Sequence, residues 1–118
     1  MTTSGNKPLR LGVERQGTAA VVKVAGSVSI SDADRLRQQI EALAAEQVSV
    51  IVLDLGEMDF ICSLGLGAII SGHLRCRHHH GQIKLVNPTA PVRDLLETTR
   101  LTKLFGIYES VKVALPQA

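Results

Sequence analysis

VSVIVLDL, residues 48–55, limits the possible folds more than any other stretch of this chain. It is an aliphatic, β-branched run with almost no polar alternation, which reads as a strand covered on both faces, the environment of a parallel strand in an α/β sheet. Just before it, Ala33, Leu36, Ile40, Leu43 and Gln47 recur at helical spacing, with Arg35, Arg37, Gln38, Glu41 and Glu46 pointing elsewhere. That pattern predicts an amphipathic helix of about four turns. Ser31, followed three residues later by Asp34, resembles a capping box at its start. Further upstream, TAAVVKVAG (18–26) is a second nearly continuous aliphatic run. Strand, helix and strand make a β-α-β unit.

The remaining elements fall around that unit. Leu9, Leu11 and Val13 alternate with Arg10, Gly12 and Glu14, a half-buried strand, and Gln16-Gly17 turns it into a hairpin with the next one. The opening residues 1–8, MTTSGNKP, read as a flexible tail, leaving 9–118 as a single domain. After Ser63, Leu66, Ile70 and Leu74 recur at i, i+4 and i+8, so a helix is predicted despite Gly65, Gly67 and Gly72. Each interior glycine costs a helix roughly 1 kcal/mol, which suggests that a strand, ligand or partner comes close to this helix. Arg75, Arg77 and His78 to His80 gather at its end, where Gly81 can stop it. QIKLV is a strand, Asn87-Pro88 a turn, and Thr89 caps a helix with Val92, Leu95, Leu96 and Thr99 inward. The last strand lies around FGIYES. The order β-β-α-β-α-β-α-β gives a mixed sheet with interleaved helices.

Composition narrows the function classes. With 45% hydrophobic and only 3% aromatic residues, the core has to be aliphatic. A formal charge of +2, with basic residues scattered along the chain, gives no nucleic-acid footprint. No apolar run approaches the roughly 18 residues of a membrane span, and no secretory signal is evident. The two cysteines, Cys62 and Cys76, lie in different segments, and a reduced, cytoplasmic protein is expected.

FICSLGLGAII, residues 60–70, carries the chemistry, since a strand-like approach ends in the small polar pair Cys62 and Ser63 and glycines follow at once. From the residues alone Ser63 reads as a helix cap, a phosphate site, a nucleophile or a serine displayed to a partner. Nucleophilic catalysis is not supported, because three of the four histidines lie at the far end of the helix and no G-x-S-x-G elbow is present. Gly65, Leu66 and Gly67 do not complete a dinucleotide fingerprint, and no P-loop occurs. His73, Cys76 and His80 fall at i, i+3 and i+7, a spacing that zinc accepts but that a basic helix end also produces by chance. Cys62 is a candidate redox thiol or a small buried hydrophobe. Asp54 and Asp59 flank the loop as turn residues or as contacts for a basic partner.

VVKVAGSVS, then the run from Val50 to Ile70, then the run from Gly81 to Ser110 resemble, in order and spacing, the STAS domain of bacterial anti-sigma factor antagonists. The most specific part, Phe60 to Gly67, is similar to that family's signature of two apolar residues, Asp, Ser, Ser or Thr, Gly, Leu, Gly. Cys62 stands at the Asp position and Leu64 at the second hydroxyl position. The resemblance implies an anti-sigma factor antagonist and not an enzyme, with no cofactor and no metal. It would work by partner switching: it binds an anti-sigma factor with serine kinase activity, is released when Ser63 is phosphorylated, and is restored by a serine phosphatase. The expected contact residues are Ser27, Ser29, Ser31, Asp59, Phe60, Ile61, Cys62, Leu64, Gly65, Leu66 and Gly67, on a monomer or weak dimer. The alternatives are a STAS scaffold subunit of a sensory assembly and a nucleotide- or ligand-binding α/β domain.

Overall fold

The computed structural model describes residues 7–116. A hairpin of β1 (Arg10–Gln16) and β2 (Ala19–Val28) leads into α1 (Ala33–Ala45), then β3 (Val50–Ile61), α2 (Ser63–Arg77), β4 (Gln82–Val86) and α3 (Ala90–Thr98). A 3₁₀ turn at Leu101–Lys103, β5 (Gly106–Tyr108) and α4 (Val111–Ala114) complete the chain. The sheet order is β1-β2-β3-β4-β5, antiparallel at β1–β2 and parallel elsewhere. The expected order of elements is therefore present, with α4 added after the last strand. Most of the expected flexible tail lies outside the described residues, but Lys7 is already engaged, its carbonyl accepting from the Ser27 N–H at 3.0 Å.

Two apolar layers sandwich the sheet. On one face Ala20, Val22, Val24, Ile51, Leu53 and Leu85 meet Leu36, Ile40 and Leu43 of α1, Ile69 and Cys76 of α2, and Val92 and Leu96 of α3. On the other, Ala19, Val21, Val50, Val52 and Val86 are covered by Ala114 of α4 together with Tyr108, Val111 and Leu115. Lys84 ties this small helix down, donating from Nζ to the Ala114 carbonyl at 2.9 Å and lying 5.0 Å from the Tyr108 ring centroid. Four helical residues are too few to leave a periodic signal, so the helix is invisible in the sequence.

Several helix ends differ from expectation. The capping box at Ser31 and Asp34 does not form: Asp32 is the N-cap and its side chain makes no capping bond, while Ser29 Oγ donates to Asp32 Oδ2 at 2.9 Å. Gln47 lies beyond the end of α1 at φ +60°, exposed, so the inward row stops at Leu43 and Ala44. Thr89 occupies the N-cap of α3, but its hydroxyl donates to the Met58 carbonyl instead (3.0 Å). Thr99 is exposed at the C-cap and donates to the Leu95 carbonyl. At the end of α2 it is His80, at φ +66°, that adopts the left-handed turn. Gly81 is needed for another reason, since a Cβ there would sit 2.9 Å from the Val48 carbonyl oxygen.

The helix α2 packs differently from its sequence pattern. Its buried residues are Gly65, Ala68, Ile69, Gly72, His73 and Cys76, whereas Leu66 and Ile70 are half-buried and Leu74 is exposed. Glycine, not leucine, makes its inward face. A Cβ at Gly72 would lie 2.2 Å from Ile40 Cγ2 of α1, and one at Gly65 would lie 2.7 Å from Ile61 and 2.9 Å from Val28. Gly67 meets nothing within 4 Å. Gly72→Ala should therefore destabilise the domain by roughly 1–3 kcal/mol through overpacking. Gly67→Ala should stabilise it by about 0.5–1 kcal/mol through helix propensity. Urea unfolding of the two variants beside the wild type checks the opposite signs.

Candidate functional site

The loops after β2 and β3 lie side by side because the parallel register continues to the ends of both strands, Val28 opposite Ile61, and the Cys62 N–H donates to the Val28 carbonyl at 2.9 Å. The register shifts twice along the way. Lys23 lies opposite Asp54 but Ala25 opposite Glu57, and Gly26 lies opposite Met58 but Ser27 opposite Phe60, so β3 gains one residue at each step. Bulges re-aim the side chains that follow them. Here Met58 is buried, Asp59 and Phe60 are both exposed, and Ile61 returns to the core. β3 thus runs six residues past the end expected from its aliphatic run, and Asp54 lies within the strand, its Oδ1 accepting from the Gly56 N–H at 3.1 Å.

The expected contact residues separate into two groups. Asp59, Phe60, Leu64 and Gly67 are exposed together with Ser31, while Ser29, Cys62 and Leu66 are half-buried. Ser27, Ile61 and Gly65 are buried and support the surface from beneath instead of forming it. The Ser27 hydroxyl has no hydrogen-bond partner among the described residues. The sequence reading missed Ile30, which at 72% exposure is the most exposed large apolar side chain among the described residues, ahead of Leu64 at 58% and Phe60 at 51%. An isoleucine alone among Ser29, Ser31 and Asp32 was the available signal.

Ser63 is exposed in the first turn of α2, with Cys62 as the N-cap in extended conformation. It is not the helix cap, because the first helical bond runs from the Leu66 N–H to the Cys62 carbonyl at 3.0 Å. No side chain caps this end, and the first turn contains no acidic residue. No carboxylate within the first turn answers the backbone N–H groups and the positive end of the dipole there. Cys62 packs at the fringe of the core.

The His73, Cys76 and His80 spacing does not become a metal centre. Among the described residues no group of three His, Cys, Asp or Glu side chains could hold a metal ion. His73 is buried, its Nδ1 accepting from the Ile83 N–H of β4 at 3.0 Å and its ring edge-on to Phe105 at 5.0 Å. Cys76 is buried, and its thiol pKa is pushed up by that burial. His80 lies exposed beyond the helix.

The family model for the STAS domain matches residues 10–114. The chain belongs to the STAS family. A protein of Paenibacillus polymyxa named anti-sigma F factor antagonist is 28% identical over 110 residues, spanning 92% of this chain and 94% of its own. Among solved structures, an anti-sigma factor antagonist from Mycobacterium paratuberculosis superposes with a TM-score of 0.83 at 24% identity, covering 97% of this chain and 95% of that one. The antagonist SpoIIAA in its unphosphorylated form gives 0.80 at 18% identity, covering 89% and 92%. Its phosphorylated form, from Bacillus, gives 0.73 at 16%, covering 89% and 96%. These likenesses show the shared fold. Among the described residues no helix is long and apolar enough to cross a membrane.

Burial, and to a lesser degree the charge of Arg77, pushes His73 below the ordinary histidine range. The unfolded chain then takes up a proton below about pH 6.5 that the buried ring resists. Stability is full above that pH and falls as pH drops, because the unfolded state binds more protons. Urea unfolding at about pH 7.5 and about pH 5.5 should show this loss in the wild type and a smaller one in His73→Asn. The other histidines are common to both proteins.

Proposed function

We propose that this STAS domain is an anti-sigma factor antagonist that works by partner switching, with Ser63 as the phosphorylated residue. The observation that carries this reading is an exposed serine at an uncapped helix start, set among Ile30, Phe60 and Leu64. The relatives' names support it, and SpoIIAA is described in both a phosphorylated and an unphosphorylated form. The partner is an anti-sigma factor with serine kinase activity, and a serine phosphatase resets the switch. Its role is binding and not catalysis, and the cytoplasm is its proposed location.

The physics of the switch follows from the position. A phosphate on Ser63 meets the free N–H groups of the first turn and the positive end of a 15-residue helix, so the domain tolerates it. The same phosphate brings about −1.5 to −2 charge into an apolar docking patch. Desolvating that charge against a packed partner is costly, and the complex comes apart while the fold survives. Leu64 takes the place of a second hydroxyl, which leaves Ser63 as the acceptor in this loop.

Baits of wild type, Ser63→Ala and Ser63→Glu should separate in affinity capture from the native host, with wild type and Ala retaining an ATPase-fold anti-sigma factor and Glu losing it. Equal capture by all three would refute the switch. With that partner purified, Ile30→Ala and Phe60→Ala should each weaken binding roughly tenfold, as expected for exposed apolar anchors at the centre of an interface. Circular dichroism should show the fold of both variants unchanged.

A further inference from the structure

Among the described residues the β1 edge of the sheet is open. β1 pairs with β2 on one side only, in a register that runs without a break from Arg10 opposite Ala25 to Gln16 opposite Ala19. Edge strands are ordinarily guarded by charged side chains, lysine above all, by proline, a bulge or a short length, or by a covering helix or loop. The other edge, β5, has three residues. β1 has seven, RLGVERQ, with no bulge, proline or lysine, and its charges, Arg10, Glu14 and Arg15, are of both signs, so they can pair with a second copy.

The hairpin turn fixes which backbone groups face outward. Gly17 at φ +61° and Thr18 form a two-residue loop, which makes Gln16 and Ala19 a hydrogen-bonded pair. Bonding alternates from there, so Glu14, Gly12 and Arg10 bond to β2, while Arg15, Val13 and Leu11 turn their N–H and C=O groups to the open side. Their side chains alternate as well. Leu11 and Val13 pack half-buried against the helix-side core, and Arg10 reaches across the opposite face toward Glu57 at 3.8 Å.

We propose that a second copy of this chain pairs with this edge, antiparallel about a two-fold axis through Gly12. Only residues 11, 13 and 15 offer outward groups, so the copies pair odd residue to odd residue, and centring on Gly12 sets Leu11 opposite the partner's Val13 in bonded pairs. On the other face the same register sets Arg10 opposite the partner's Glu14, twice by symmetry. Glu14 makes no ion pair among the described residues, and Gly12, with nothing within 4 Å of a Cβ built there, meets its own copy without a clash. The segment Arg-Leu-Gly-Val-Glu is self-complementary in charge and shape in this register. Centring on Glu14 would face the two carboxylates against each other, and centring on Val13 would set Arg15 against Leu11. The result is a continuous sheet of ten strands, and because β2 separates β1 from the strand that leads to Ser63, that serine does not lie at the pairing edge.

Sedimentation equilibrium of the full chain tests this. The wild type should show a reversible dimer with a dissociation constant on the order of 100 μM, as suits a small edge-to-edge interface. Arg10→Glu and Glu14→Arg should each weaken it about tenfold or more by opposing like charges. An equimolar mixture of these two variants restores both ion pairs and should associate as tightly as the wild type, as should the doubly reversed chain alone. A monomer at every concentration up to about 1 mM overturns the proposal. So does a dimer that neither reversal weakens, or two weakened variants that fail to rescue each other when mixed. None of these outcomes depends on whether Ser63 is phosphorylated.

Discussion

α2 has room for hydrogen and nothing larger at two points: a carbon added to Gly72 would sit 2.2 Å from Ile40 Cγ2 of α1, and one on Gly65 would press on Ile61 of β3 and Val28 of β2. Those two contacts set how deeply α2 lies and how it is rotated about its axis. Seven residues apart, the two glycines lie about two turns apart on one side of the helix. With that side against the core, the first turn has one orientation available. Leu64 and Ser63 face outward because Gly65 must face inward.

The second constraint is the strand that delivers the loop. A regular β3 would alternate buried and exposed side chains to its end. Its second added residue instead sets Asp59 and Phe60 outside in succession, and Ile61 still reaches the core to close against Gly65. The Thr89 hydroxyl, spent on the Met58 carbonyl and not on its own helix, holds the strand at that point. Two adjacent strand ends thus carry exposed apolar side chains: Ile30 in the loop after β2, and Phe60 and Leu64 on either side of the end of β3.

Parts of this were legible in the sequence and parts were not, for physical reasons. β4 is read to the residue, and α1 is read on its buried face, because regular elements with one dry side write their period into the chain. In α2 the rule misleads. The period of Leu66, Ile70 and Leu74 is helical, but close packing reverses its meaning by giving the buried face to Gly65 and Gly72. The sequence shows β3 only as far as Leu55, because bulges break the period that reveals a strand. The signature around Ser63 could be found by resemblance, whereas Ile30 could not, since its exposure depends on how two distant loops meet. Sequence places Ser27 at the surface with its neighbours, yet the pairing with Phe60 takes it below.

Cys62 is where the sequence departs most from its family's signature, and the structure gives the departure a physical meaning. An aspartate at an N-cap accepts from the first-turn N–H groups and sets a negative charge against the dipole, which together stabilise a helix by about 0.5–2 kcal/mol. The thiol of Cys62 does neither, and turns to the fringe of the core. α2 therefore begins with its N–H groups unanswered and its stability drawn from packing lower down. On the proposed reading, a phosphate on Ser63 would meet no competing carboxylate at that helix start. The charge that expels the partner would then also complete the cap that this sequence omits.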